Sequence, residues 1–176
     1  MAEAPRQQGD GFALAELLGS VALLLFGLVA LIGALIAQTA LNEHARNISW
    51  AMNDATRVME RLRLQNSGDV CAATNVNPPA GFASWDAWLA DTTVNGGGGK
   101  SLQPNPAANE RVVPTTTGTD PRQVTIAICW RHRNRTLGEC DWDGTQLIPN
   151  ELLVMPNDTA AIDSPAMLTT LITCRQ

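Results

Sequence analysis

Lysine is almost missing from this chain. Lys100 is the only one in 176 residues, and the formal net charge is −5. That balance argues against a general nucleic-acid binder, which carries a basic excess. Other absences narrow the field further. Among Cys71, Cys129, Cys140 and Cys174 no pair forms C-x-x-C, so zinc-ribbon and thioredoxin spacings are excluded. There is no P-loop, nucleophile elbow or HExxH, and His44 and His132 stand far apart in sequence. No enzymatic activity and no cofactor are expected. Between residues 12 and 37 the only charge is Glu16, and no proline interrupts 12–64. The length allows one modest globular domain plus an extended element.

The extended element comes first. Residues 12–37 read FALAELLGSVALLLFGLVALIGALIA. As a helix this run would be about 39 Å long, enough to cross a hydrocarbon layer of about 30 Å. A secretory signal has a shorter apolar core followed by a small-x-small cleavage site. Here the run flows into a second helical pattern, so the segment reads as retained. Over 38–66, Leu41, Ala45, Ile48, Met52, Ala55, Met59 and Leu62 recur at spacings of three and four, one apolar stripe. The spacing is also compatible with a dimeric coiled coil, but its alanines suit close packing on a domain better. One helix from Phe12 to about Gln65 is predicted, stopping at Asn66-Ser67-Gly68.

Glu16 is the odd residue. An acid in an apolar helix costs several kcal/mol in hydrocarbon unless it is paired or neutral. An interfacial acid near the cytoplasmic end is the plain alternative. Glu16 stands in register with Gly11-Phe12, however, and GFALAELL resembles the class III signal of type IV prepilins, usually GFTLIELL, with Ala13 and Ala15 replacing Thr and Ile. The resemblance implies that residues 1–11 are a leader, cut between Gly11 and Phe12 by a prepilin peptidase/methyltransferase that also N-methylates Phe12. It implies that Glu16 neutralises the N-terminal ammonium of a neighbouring subunit inside the filament, where low dielectric makes pairing strongest. Gly33 where major pilins carry proline, a leader with only Arg6 as a base, and NDATRVMERLR at 53–63 resemble PilV-type minor pilins, and also minor pseudopilins of type II secretion. The implied partners are other minor pilins and the major pilin (or pseudopilins), the inner-membrane assembly platform and, before assembly, the lipid bilayer. The implied location is the inner membrane in a single pass, N-terminus cytoplasmic, with a periplasmic domain that later joins a surface filament.

Residues 67–176 form the expected exported domain. Over 69–122 the chain is rich in proline and glycine, with a short helix capped by Ser84. Trp85 and Trp88 would share a face of it, as core plugs or as a ligand-binding pair. Gly96 to Gly99 reads as a flexible surface loop. Strands are predicted at 123–131 and 167–175, a weaker one at 151–155, and an edge at 111–113 stopped by Pro114. The fold class is therefore α+β and pilin-like: a long N-terminal helix packed on a small antiparallel sheet.

The cysteines read as two disulfides in an oxidising compartment. Of three connectivities, Cys129–Cys140 closing a hairpin with Cys71–Cys174 is the preferred one. Zinc on Cys129, His132 and Cys140 is the rival, although its spacing matches no common site. Arg131, Arg133 and Arg135 alternate beside Trp130. They make either a weak DNA-binding patch or a solvated hairpin whose charge Glu139, Asp141 and Asp143 cancel. DWDG at 141–144 and the acids of 157–163 lack EF-hand spacing, so no metal site is expected. A reading from another class is a single-pass anchored protein whose exported domain binds a ligand or DNA and never polymerises.

Overall fold

The computed structural model describes residues 10–67, 75–102, 109–118, 121–132, 134–149 and 164–173. The chain divides into two units, Met1–Ala45 and Arg46–Gln176. Helix α1 (Asp10–Gln65) is continuous over 56 residues, as the lack of proline permits. In the first unit every described side chain from Leu14 to Asn42 is exposed. Leu23 is 74% exposed and Phe26 75%, so this apolar surface finds no cover among the described residues of its own unit.

From Ala51 onward α1 has a core to pack on. Ala51, Ala55, Val58, Met59 and Leu62 are buried, while Leu41 is exposed. The buried stripe therefore starts later than the sequence pattern and takes in Ala51 and Val58. The helix ends at Asn66, whose Nδ2 donates to the carbonyls of Leu62 (2.7 Å) and Asn75 (2.8 Å). Its Oδ1 accepts from the Asn75 N–H at 2.7 Å. One asparagine amide thus satisfies an orphan helix carbonyl and fastens residue 75 beside the helix end.

Helix α2 (Trp85–Ala90) starts as expected, with the Ser84 hydroxyl accepting from the Ala87 N–H at 3.0 Å. Trp85 and Trp88 meet edge to face, centroids 5.6 Å apart. Both are buried among the α1 and sheet residues of the core, so they plug the core rather than offer a ligand surface. Their indole N–H groups are satisfied by the carbonyls of Val76 (2.9 Å) and Asn95 (3.1 Å).

The main sheet is antiparallel around β2 (Arg122–His132). β1 (Glu110–Thr117) pairs along one side, with Val113 opposite Ala127. On the other side β6 (Ala166–Ile172) pairs with residues 122–128 and β3 (Arg135–Leu137) with 130–132. β4 (Cys140–Trp142) and β5 (Leu147–Pro149) form a separate hairpin. The prediction that Pro114 stops the edge strand is wrong. β1 continues through Pro114 to Thr117, because an edge strand tolerates a residue without an N–H. The predicted strand at 151–155 lies outside the described residues.

Alternation divides the sheet into two faces. Val112, Val124, Ile126, Ile128 and Trp130 face the helices and join Ala51, Ala55, Val58 and Leu62 in the main core. Val113, Ala127 and Cys129 face the other way and pack with Cys140 and Leu147 under the β4–β5 hairpin.

The glycine run is also not the loose loop expected. Arg57 donates to the carbonyls of Gly97 (2.6 Å) and Gly99 (2.7 Å), and it pairs with Asp54, which is fully buried on the same helix. Asp54 also accepts from the Ser101 N–H (2.7 Å) and hydroxyl (2.6 Å). A Cβ on Gly97 would lie 2.7 Å from the Leu89 Cα, so close approach to α2 is what requires glycine there.

Lys100, 5% exposed, sits beneath this loop. Its ammonium lies 2.8 Å from an Asp86 carboxylate oxygen and donates to the Glu110 carbonyl at 2.6 Å. The Asp86 carboxylate in turn accepts from the Val112 N–H at 3.1 Å, tying α2 to β1. Removing one member of a buried pair leaves an uncompensated charge, at a cost of about 3–5 kcal/mol. Lys100→Met should therefore lower unfolding free energy by about 3 kcal/mol in denaturant titration of the detergent-solubilised chain. Asn53→Ala, at an exposed neighbour, should stay within about 0.5 kcal/mol.

Candidate functional site

The candidate site is the head of α1. Residues 10–13 are helical, so Gly11 and Phe12 lie on the first turn of the described helix. Glu16 follows one turn later and is exposed. Ser20, four residues on, donates back to the carbonyls of Glu16 (2.9 Å) and Leu17 (3.0 Å). Its hydroxyl is thereby satisfied inside its own helix, the usual solution for serine in an apolar segment. Among the described residues, α1 is the one helix long and apolar enough to cross a membrane.

Projected at 3.6 residues per turn, six small residues share one side of the segment, while Ser20, Gly27 and Ala34 fall outside it. Ala15, Gly19, Ala22, Ala30, Gly33 and Ala37 fall on one side, interrupted by Leu23 and Phe26, while Leu17, Val21, Leu24, Leu28 and Leu35 fall opposite. Glu16 lies at the margin of the small side. A Cβ added at Gly19, Gly27 or Gly33 would meet nothing within 4 Å. Each glycine costs a helix about 1 kcal/mol relative to alanine, and packing among the described residues gives no reason for any of the three.

Comparisons with protein-family models, with curated proteins and with solved structures find no match. The reading of the site therefore stands on its own residues.

In the second unit Cys129 and Cys140 are joined by a disulfide. It does not close a simple hairpin: it runs from β2, past the β2–β3 turn, to β4, and so pins the small hairpin over the outer face of the sheet. The bond uses both sulfurs that zinc would need as thiolates, which overturns the zinc alternative with His132. Gly138 is what lets the chain pass. It has φ +93°, and a Cβ there would lie 2.7 Å from the Ser164 hydroxyl and 2.9 Å from the Cys129 Cβ. The Cys71–Cys174 pair lies outside the described residues.

The basic cluster is dispersed. Trp130, the aromatic expected beside it, is fully buried. Arg131 stacks on Trp142 at 3.9 Å from the ring centroid and donates to Asn134 Oδ1 at 2.9 Å. Arg131 pairs with Thr136 across β2–β3, while Arg135 pairs with His132. Cross-strand partners share a face, so Arg131 and Arg135 point to opposite faces and do not form one side of a strand. Arg133 lies outside the described residues.

Sequence reasoning missed three pairings: Arg131 with Trp142, Lys100 with Asp86, and Asp54 with Arg57 beside the glycine loop. Only the three-residue spacing of Asp54 and Arg57 on a helix was there to be read.

Asp143 shapes the β4–β5 turn. Its carboxylate accepts from the backbone N–H groups of Gln146 (2.8 Å) and Thr145 (2.7 Å), which hold its pKa below the ordinary carboxylate value. Gly144 has φ +106°, so turn formation accounts for Asp-Gly here.

The hairpin's two fastenings can be tested separately. Replacing Cys129 and Cys140 by serine should cost about 3 kcal/mol, the chain-entropy value for a loop of this size, read as the shift in denaturant midpoint. For Asp143, a depressed folded pKa stabilises above the usual carboxylate pKa and is lost as pH falls through the lowered one. Amide exchange at Thr145 and Gln146 should then be insensitive to protonation above about pH 5 and loosen in stronger acid. Asp143→Asn should abolish that acid step.

Proposed function

We propose that this chain is a structural minor subunit of a type IV pilus that primes assembly or stands at or near the tip. The observation that carries the reading is the register of Gly11, Phe12 and Glu16 at the head of an unbroken 56-residue helix. The fold supports it: a long apolar N-terminal helix and a small antiparallel sheet, the α+β layout of pilin-like proteins. The small residues that share one side of 15–37 support it as well, because Gly19 and Gly33, uncrowded among the described residues, suit close contact with other helices.

The physical logic runs from storage to assembly. Before assembly the apolar run is covered by lipid, and Glu16 sits in a poor environment for a charge. Cleavage after Gly11 creates an ammonium on Phe12, one turn from Glu16 on its own helix. In a bundle of such helices the ammonium of one subunit meets the Glu16 carboxylate of another. The acid that penalises storage then rewards entry into the filament. Helix packing supplies most of the association energy, and the charge pair sets the axial register. A minor pseudopilin would use the same residues in the same way, and the filament with which the chain co-purifies separates the two.

The test is made on the chain in its own cells. The mature protein should begin at N-methylated Phe12 by N-terminal sequencing or intact mass. An N-terminus at Met1 or Ala2 would support instead a single-pass anchored binding protein. Glu16→Gln should be processed normally yet fail to enter filaments. Leaving one partner of a buried pair alone costs about 3–5 kcal/mol, which is roughly a hundredfold or greater loss of incorporation. Normal incorporation of Glu16→Gln would remove the assembly role.

A further inference from the structure

The sheet has two borders, and they are finished differently. β1 carries Pro114, exposed midway along the strand. Proline is one of the devices that keep an edge strand from recruiting another strand. β6 reads AMLTTLI, without charge or proline. Among the described residues it pairs with β2 alone, through the register Thr125 to Thr169. A strand paired on one side leaves a row of backbone donors and acceptors on the other, and their natural complement is another extended strand.

Side chains along β6 fit one particular strand. Alternation puts Met167, Thr169 and Leu171 on the outer face, all exposed, with Leu171 at 66%. Their neighbours on that face, Thr125 and Gln123 of β2 and Thr115 and Thr117 of β1, are uncharged too. Thr125 and Thr169 share a hydroxyl hydrogen bond at 2.9 Å, so the row is held in place. On the inner face Thr170 accepts from Arg63 at 3.0 Å, which fixes the strand against α1. If two copies of β6 run antiparallel about a two-fold axis at Thr169, then Thr169 faces its own copy. Met167 faces Leu171 of the other chain on both sides of it. Thr–Thr and apolar–apolar pairs are the favourable cross-strand combinations. The charge pattern of the outer face also suits this partner: Met167, Thr169 and Leu171 and their neighbours on that face carry no charge, so two copies meet there without apposing like charges.

We propose that β6 is a self-pairing edge through which two copies of this chain join their sheets antiparallel, centred on Thr169. One seven-residue strand pair buries well below the roughly 1,200 Å² of a stable complex. The contact is therefore weak between free molecules and counts where copies are concentrated on a membrane or along filaments. It uses only the sheet domain, while the crowding that makes it count rests on the membrane and filament role proposed for α1.

The experiment is cysteine cross-linking in the full chain, expressed in its own cells and read on non-reducing gels. In the proposed register the two Thr169 Cβ atoms lie about 4.5–5.5 Å apart, so Thr169→Cys should give a reduction-sensitive dimer. Thr117→Cys, on the same face at the guarded β1 border, and the unsubstituted chain should give none. Met167→Cys and Leu171→Cys should cross-link when co-expressed, far more than either does alone. Adding Leu171→Lys to Thr169→Cys should abolish the dimer. The proposal is overturned if the thiol introduced by Thr169→Cys reacts with a soluble thiol reagent but forms no dimer. It is equally overturned if Thr117→Cys dimerises as well as Thr169→Cys, or if Leu171→Lys leaves the dimer unchanged.

Discussion

One unbroken helix has to meet two different surroundings, and most of the structure answers to that constraint. Without proline between residues 12 and 64, the backbone satisfies its own hydrogen bonds throughout, and only the side chains change. Through 14–42 they are exposed, and nearly all are apolar up to Ala37. From Ala51 to Leu62 a buried stripe of small and branched residues lies against the sheet. The alanines at 51 and 55 allow close approach. Val58 and Leu62 then fill the space between the helix and Val124, Ile126 and Ile128.

On the far side of the sheet the cover is partial. The β4–β5 hairpin caps Val113, Ala127 and Cys129. It is too small to hold itself there: two strands of three residues are not stable alone. The Cys129–Cys140 disulfide, the Arg131–Trp142 stack and the Asp143 turn together supply what its size does not. Gly138 allows the connection because any side chain would strike Cys129 and Ser164. Among the described residues the hairpin ends before the threonine rows, and Met167, Thr169 and Leu171 of the outer face are exposed.

Elements with a long period or a known cap were legible in the sequence. β2 shows itself in the β-branched run at 123–131, and Ser84 announces α2. The helix followed from the apolar spacing, and its stop from Asn66-Ser67-Gly68. The three-residue strands β3, β4 and β5 were not legible, because so short a stretch has no period to detect. Pro114 misled because its meaning depends on which border of the sheet it occupies, a tertiary fact. The glycine run misled in the same way. Composition suggests freedom, yet Arg57, forty residues upstream of Gly97, binds its carbonyls and holds the run in place. At the head of α1, Glu16 was conspicuous as a lone acid. The glycines acquire meaning only once the structure shows that, among the described residues, no neighbour crowds them.

The scarcity of lysine has a structural consequence. Exposed lysines are the commonest guard on edge strands. The single lysine here lies inside the domain, bonded to Asp86 and to the Glu110 carbonyl. It helps hold β1 against α2 and is absent from every surface. β1 has Pro114 as its guard, and β6 has nothing equivalent among its seven residues. A chain with surface lysines would be expected to place one at Thr169 or Leu171, where solvent reaches both. That these positions carry threonine and leucine is the reason to read the β6 border as a surface meant for contact.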